Sequence, residues 1–98
     1  MSVVMIMEWD GVTKEQYEAA RSLVNWEGNV PVGARFHVSA FGDTGLRVVD
    51  VWDSAEDFQR FVDTRLAQGV KQVGIETQPR VEIFPVHALF TPGFLPKA

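Results

Sequence analysis

The sequence predicts an α+β fold, a ferredoxin-like βαββαβ chain with a four-stranded antiparallel sheet. Three observations predict it. Two strand-like runs flank Gly42-Asp43-Thr44-Gly45 at the centre of the chain, a hairpin signal rich in turn formers. Two segments with helical apolar spacing begin after capping residues, at Thr13 and at Ser54. Apolar runs near either end, Val3 to Trp9 and Val81 to Phe84, supply the remaining strands. The resulting order is that of the split βαβ arrangement.

Each element has its own local reason. Val3 to Trp9 is almost unbroken apolar sequence, as expected of a strand covered on both faces. Asp10-Gly11 breaks it. Thr13 and Gln16 have the spacing of a capping box, and Tyr17, Ala20, Leu23 and Val24 form an apolar stripe behind it. Gly28, Pro31 and Gly33 end that helix near Trp26. Phe36 to Phe41 and Leu46 to Trp52 form the hairpin. In the second helix Ser54 is the N-cap, Glu56 and Asp57 lie in the first turn, and Ala55, Phe58, Phe61, Val62 and Leu66 make the buried face. Gly69 is a point where it ends or loosens, with Val70 to Val73 able to add a turn. Residues 74–80 form a loop. The last strand starts at Val81 and extends toward Phe90, with Pro85 confining it to a sheet edge or a bulge. Residues 1–90 thus read as one domain and 91–98 as a C-terminal tail.

Composition excludes several function classes. The nine Lys and Arg residues are scattered and outnumbered by thirteen Asp and Glu. No basic stripe exists to neutralise phosphates, which argues against nucleic acid as a partner. The absence of cysteine removes disulfides, thiolate metal sites and Cys nucleophiles. The apolar N-terminus has no basic lead and runs directly into Glu8 and Asp10, so it does not read as a signal segment. No apolar stretch reaches the roughly 20 residues that span a bilayer. These features predict a cytoplasmic protein with no membrane partner. Helices cover one sheet face, yet the first strand and Val48, Val49 and Val51 are apolar on both sides. A second greasy face predicts a homodimer with two sheets packed together.

Four segments carry a family resemblance. They are Met7-Glu8-Trp9-Asp10-Gly11-Val12-Thr13, His37-Val38-Ser39-Ala40-Phe41, Leu46-Arg47-Val48-Val49-Asp50-Val51-Trp52 and Phe84-Pro85-Val86-His87-Ala88-Leu89-Phe90. In them the chain resembles the dimeric α/β-barrel superfamily typified by antibiotic-biosynthesis monooxygenase-like proteins, and within it a group of small, uncharacterised actinobacterial members. The resemblance implies two barrel halves and one pocket per subunit. It implies no single reaction, since the superfamily holds cofactor-free oxygenases, haem-degrading enzymes, isomerases and dismutases. Haem-degrading relatives carry an iron-ligating histidine on the second helix, and residues 54–73 contain none.

The candidate site comes from hairpin register. If Phe41 pairs with Leu46, then Ser39 faces Val48, His37 faces Asp50 and Arg35 faces Trp52, all on one side of the sheet. A carboxylate opposite an imidazole fixes its tautomer and raises its basicity. His37 is the expected general base and Asp50 its orienter. Arg35 is placed to hold an anion or enolate, Ser39 to hydrogen-bond a substrate, and Trp52 to form an aromatic wall. This polar stripe alternates with the apolar Phe36, Val38, Ala40, Val49 and Val51. The same pair is also a common purely structural feature of sheets, worth roughly 0.2–1 kcal/mol. His87, on the last strand, is a second possible acid or base, against the alternative of a packed histidine. Tyr17, Trp9, Trp26 and Trp52 could line a site for a flat organic molecule or simply fill the core. Glu8 is a further acid at the cleft mouth or a solvated strand end.

No short-spaced ligand pair supports a metal, and no glycine-rich or Gly-x-Ser-x-Gly motif occurs. The expectation is an enzyme without a bound cofactor, a cofactor-free oxygenase or isomerase. By the family resemblance, it would act on a hydrophobic aromatic or polyketide-like compound. The opposing expectation is a non-catalytic ligand-binding or dimeric interaction module.

Overall fold

The computed structural model describes residues 1–94 of the chain. Strand β1 is Val3–Asp10, helix α1 Lys14–Val24, β2 Ala34–Gly42, β3 Gly45–Trp52 and β4 Arg80–Pro85. A second helix, α2, spans 55–72. It comprises an α-helical segment Ala55–Phe61, a π turn Val62–Leu66 and an α-helical segment Ala67–Gln72. The strands form one antiparallel sheet in the order β2-β3-β1-β4. This is the ferredoxin-like βαββαβ fold, with both helices on one face.

Capping fixes where each helix starts and therefore what it buries. The Thr13 hydroxyl accepts from the Gln16 backbone N–H at 3.1 Å, while the Gln16 side chain accepts from the Thr13 N–H at 3.1 Å. That reciprocal box sets the phase that turns Tyr17, Ala20 and Val24 onto the sheet. Leu23, expected in the buried stripe, is half exposed, because it lies about 100° around the helix from Val24. Asn25 ends the helix in the left-handed conformation, and Arg65 reaches across from α2 to donate to the Val24 carbonyl at 2.9 Å.

Ser54 caps α2 by accepting from the Asp57 N–H at 3.1 Å. The helix does not end at Gly69. It loosens earlier, in the π turn, which inserts one residue and shifts the apolar phase. Phe58 and Phe61 are buried before it, and Gly69 and Val70 after it. Gly69 is needed for packing: a Cβ there would collide with the Val24 side chain of α1.

The core lies between the helices and one sheet face. Met5, Met7 and Trp9 of β1 and Leu46, Val48 and Trp52 of β3 meet Phe58, Phe61 and Val70 of α2. Pro85 ends β4, which is an edge strand exposed along its whole length. After it the Val86 N–H bonds back to the Ser2 carbonyl at 2.9 Å. The expected continuation toward Phe90 is absent because proline cannot donate to a ladder. Within the expected tail, Pro92–Phe94 forms a 3₁₀ turn, and the Phe94 ring lies 5.9 Å from Phe36 on the opposite edge strand. Residues 95–98 of that tail lie outside the described residues.

Candidate functional site

Hairpin geometry brings the key pair together. Phe41 pairs with Leu46, Ser39 with Val48 and His37 with Asp50. The expected pairing of Arg35 with Trp52 does not occur. A β-bulge between Ala34 and Phe36 places Ala34 opposite Trp52 and leaves Arg35 as the extra residue. Its guanidinium turns to Asp53, with Nε–Oδ1 at 2.7 Å, where both side chains are largely in solvent. Arg35 therefore reaches only the edge of the site, not the stripe.

The stripe lies on the helix-covered face, alongside Met5, Met7 and Val48. There it forms a chain of four polar groups. Trp52 Nε1–H donates to Asp50 Oδ2 at 3.0 Å. Asp50 Oδ1 lies 2.7 Å from His37 Nδ1. His37 Nε2 lies 2.8 Å from the Tyr17 hydroxyl, which α1 projects over the sheet. An indole N–H only donates and a carboxylate only accepts. The chain therefore has one direction: Nδ1 carries the proton to Asp50, Nε2 is the acceptor, and Tyr17 O–H donates to it. Asp50 is the one buried charged residue among the described residues, at 7% exposure, and both its oxygens are satisfied. A buried carboxylate without such partners would cost several kcal/mol.

Burial pushes the Tyr17 phenol above the usual tyrosine range, with the neighbouring Ser39 hydroxyl acting the other way. Tyr17 is thus held as a neutral donor. Trp26 completes the surroundings of the imidazole, its ring 5.5 Å from that of His37 and 5.8 Å from that of Tyr17. His37 keeps about a third of its side chain accessible (34%).

These groups end on the wall of a cavity of about 290 Å³ between the sheet and the helices. Its lining is mostly apolar, from Met5, Val48, Phe58 and Phe61 among others, with Tyr17, His37 and Asp50 as polar points and Glu27 and Arg35 near its edge. That composition suits a hydrophobic small molecule. A few well-placed polar groups in an apolar hollow can accept a proton at Nε2 and donate to an oxygen from the phenol.

Other expected residues fall elsewhere. Ser39 adjoins Tyr17 but does not line the cavity. Trp52 does line it, and its indole N–H also fixes Asp50. His87 lies beyond the end of β4, exposed, and lines neither this cavity nor the cleft beside β4. Loss of the strand after Pro85 removes its route to the site. Glu8 shares the open sheet face with Arg47 and Arg80 and binds Arg80 at 2.6 Å, which holds its carboxyl below the usual range. It is therefore not an acid in the cavity. Sequence reasoning missed that Tyr17 is the hydrogen-bond partner of His37. The available signal was its place on the first buried turn of a helix that must cross the sheet.

No family model matches the sequence, and no curated protein matches it. Solved structures do. A mutant of SnoaB, a cofactor-independent oxygenase from Streptomyces nogalater, superposes with a TM-score of 0.66 at 13% identity, covering 90% of this chain and 95% of that one. A protein of unknown function from Nitrosomonas europaea gives 0.64 at 15% identity, covering 99% and 95%. A dimeric protein of unknown function and ferredoxin-like fold from Bacteroides fragilis gives 0.60 at 11% identity, covering 87% and 96%. Others carry the provisional name antibiotic biosynthesis monooxygenase. At such identities the likeness establishes the fold. No helix among the described residues is long and apolar enough to cross a membrane.

Proposed function

We propose that this chain is a small-molecule enzyme of the monooxygenase-like dimeric α/β-barrel type, which abstracts a proton from a hydrophobic aromatic or polyketide-like compound. The observation that carries the reading is the directed chain Trp52–Asp50–His37–Tyr17 ending on an apolar cavity. His37 Nε2 takes a proton from an activated C–H or O–H of the substrate, and Asp50 stabilises the imidazolium that forms. Tyr17, displaced from Nε2 and still protonated, donates to the oxygen on which negative charge develops. The carbanion then proceeds to oxygenation, isomerisation or cyclisation. In the oxygenating case dioxygen is the oxidant: a CH₂ becomes C=O, one oxygen atom enters the product and the other leaves as water. Similarity in fold to SnoaB supports a reaction without a bound cofactor.

The subunit is proposed to work as a cytoplasmic homodimer. Ile6, Val38 and Val49 neighbour one another on the sheet face opposite the helices, each more than a third exposed, which leaves an apolar surface for a second copy. A second reading, a non-catalytic binding module, draws support from one fact. Both ring nitrogens of His37 are already engaged within the protein.

Anthrone in air-saturated buffer separates the two. The enzyme reading expects consumption of one dioxygen per anthrone, slowed about 10²–10⁴-fold in His37→Ala. Binding of anthrone with turnover no faster than buffer, or equal turnover by His37→Ala, supports the binding module instead.

A further inference from the structure

A second hollow, about 780 Å³, lies beside the first, between α2, the 76–79 loop and β4. Nothing in the proton chain uses it. The two hollows share the side chains of Met7, Trp9, Phe58, Leu66, Val70 and Ile75, so one layer of residues separates them. The outer cleft exists because α2 does not cover β4. Ile83 and Val81 pair with the buried Met5 and Met7 and so point to the helix side, yet both are more than a third exposed. A core-facing apolar strip is left bare.

The inner cavity is small for a drug-sized or polycyclic ligand, which usually occupies roughly 300–1,000 Å³. The shared wall has one yielding point. Trp9 is anchored through its indole N–H to the Thr77 carbonyl and hydroxyl at 3.0 and 3.1 Å. Leu66 is only half-buried and ends the π turn, where the regular helical ladder is already interrupted.

We infer that the outer cleft is the second half of the binding site. It takes the apolar chain of an elongated ligand whose aromatic head sits against His37 and Tyr17, the chain passing at Leu66. The substrate class is then an aromatic nucleus bearing an alkyl or acyl chain. This rests on the reading of the inner cavity as the place where the ligand reacts.

Prodan and laurdan test it, since they share one fluorescent naphthalene head and differ only in acyl-chain length. Each buried methylene is worth about fourfold in affinity. With three or four of the extra methylenes buried, laurdan should bind on the order of a hundredfold tighter than prodan. Ala67 is exposed and lines the outer cleft alone. Ala67→Glu, checked for an unchanged melting temperature, should weaken laurdan by about tenfold or more by placing a charge beside the chain, with prodan within about twofold. Gln68→Glu, exposed and lining neither hollow, should leave both dyes unchanged. The inference is overturned if Ala67→Glu leaves laurdan binding intact, if it weakens both dyes equally, or if Gln68→Glu weakens laurdan as much. Failure of prodan itself to bind removes the inner cavity as a ligand site and overturns the proposed function with it. Binding of prodan with no gain for laurdan overturns the outer half alone.

Discussion

Asp50→Asn tests the direction of the polar chain with almost no change in shape. The carboxylate accepts from Trp52 Nε1–H at 3.0 Å and from His37 Nδ1–H at 2.7 Å. An amide has one oxygen for two donors. If the oxygen keeps Trp52, the NH₂ faces His37, and the imidazole must move its proton to Nε2 to accept at Nδ1. Nε2–H then points at Tyr17, whose hydroxyl must turn away to another acceptor. The cost is one charge-assisted bond exchanged for a neutral one and a rearranged phenol, about 1–3 kcal/mol. In a domain of this size that lowers Tm by roughly 4–8 °C per kcal/mol. The decisive readout is the imidazole nitrogen spectrum of His37, whose two ring-nitrogen signals distinguish the neutral tautomers. The wild type should show the Nδ1–H tautomer and Asp50→Asn the Nε2–H tautomer, with loss of base activity. An Nδ1–H signal that survives the substitution refutes the claim that Asp50 sets the tautomer.

Two further outcomes follow from what the fold buries and what it leaves exposed. The Tyr17 phenol is raised by burial, so the folded state keeps its proton above pH 10 while the unfolded chain, at the ordinary value of about 10, loses it. The unfolded state then binds fewer protons, and stability falls as pH rises from about 10 through the folded value; Tyr17→Phe should flatten this slope in melts taken across that window. For the open sheet face, sedimentation at micromolar concentration should give two subunits for the wild type and one for Val49→Glu. A monomeric wild type rejects the dimer.

Much of the fold was legible because its signals are local. The Thr13–Gln16 box, the Ser54 cap, the Gly42–Gly45 connection and the edge-confined Pro85 each act within a few residues, and the structure carries them all. The His37–Asp50 pairing was legible for the same reason, since a short connection fixes register. What failed was local too, but silent in composition. The bulge that frees Arg35 and the π turn in α2 each add one residue without a glycine or proline to announce it. The Tyr17–His37 contact depends on how far α1 lies above β2, a packing quantity that periodicity does not encode. The outer cleft required knowing that α2 stops short of β4.

The alternation of β2 and β3 links the cavity to the surface opposite it. A strand with period two cannot place His37 and Asp50 inward without placing Val38 and Val49 outward. A register slip of one residue would bury Val38 and Val49 under the helices and release the acid to solvent, at the cost of exposing Leu46, Val48 and Trp52 and burying Arg47. The chain adopts the reverse. It shelters a carboxylate at 7% exposure, offsets its desolvation with Trp52 and His37, and leaves valines more than a third exposed. Two separate demands would favour this arrangement: chemistry that needs an oriented imidazole in an apolar hollow, and a partner that covers the outer face. A single test joins them. If Val38→Glu and Val49→Glu together yield a stable monomer that still shows the Nδ1–H tautomer of His37, the inner chain stands on intramolecular packing alone. Loss of that tautomer in the monomer would instead make association a condition for the oriented imidazole.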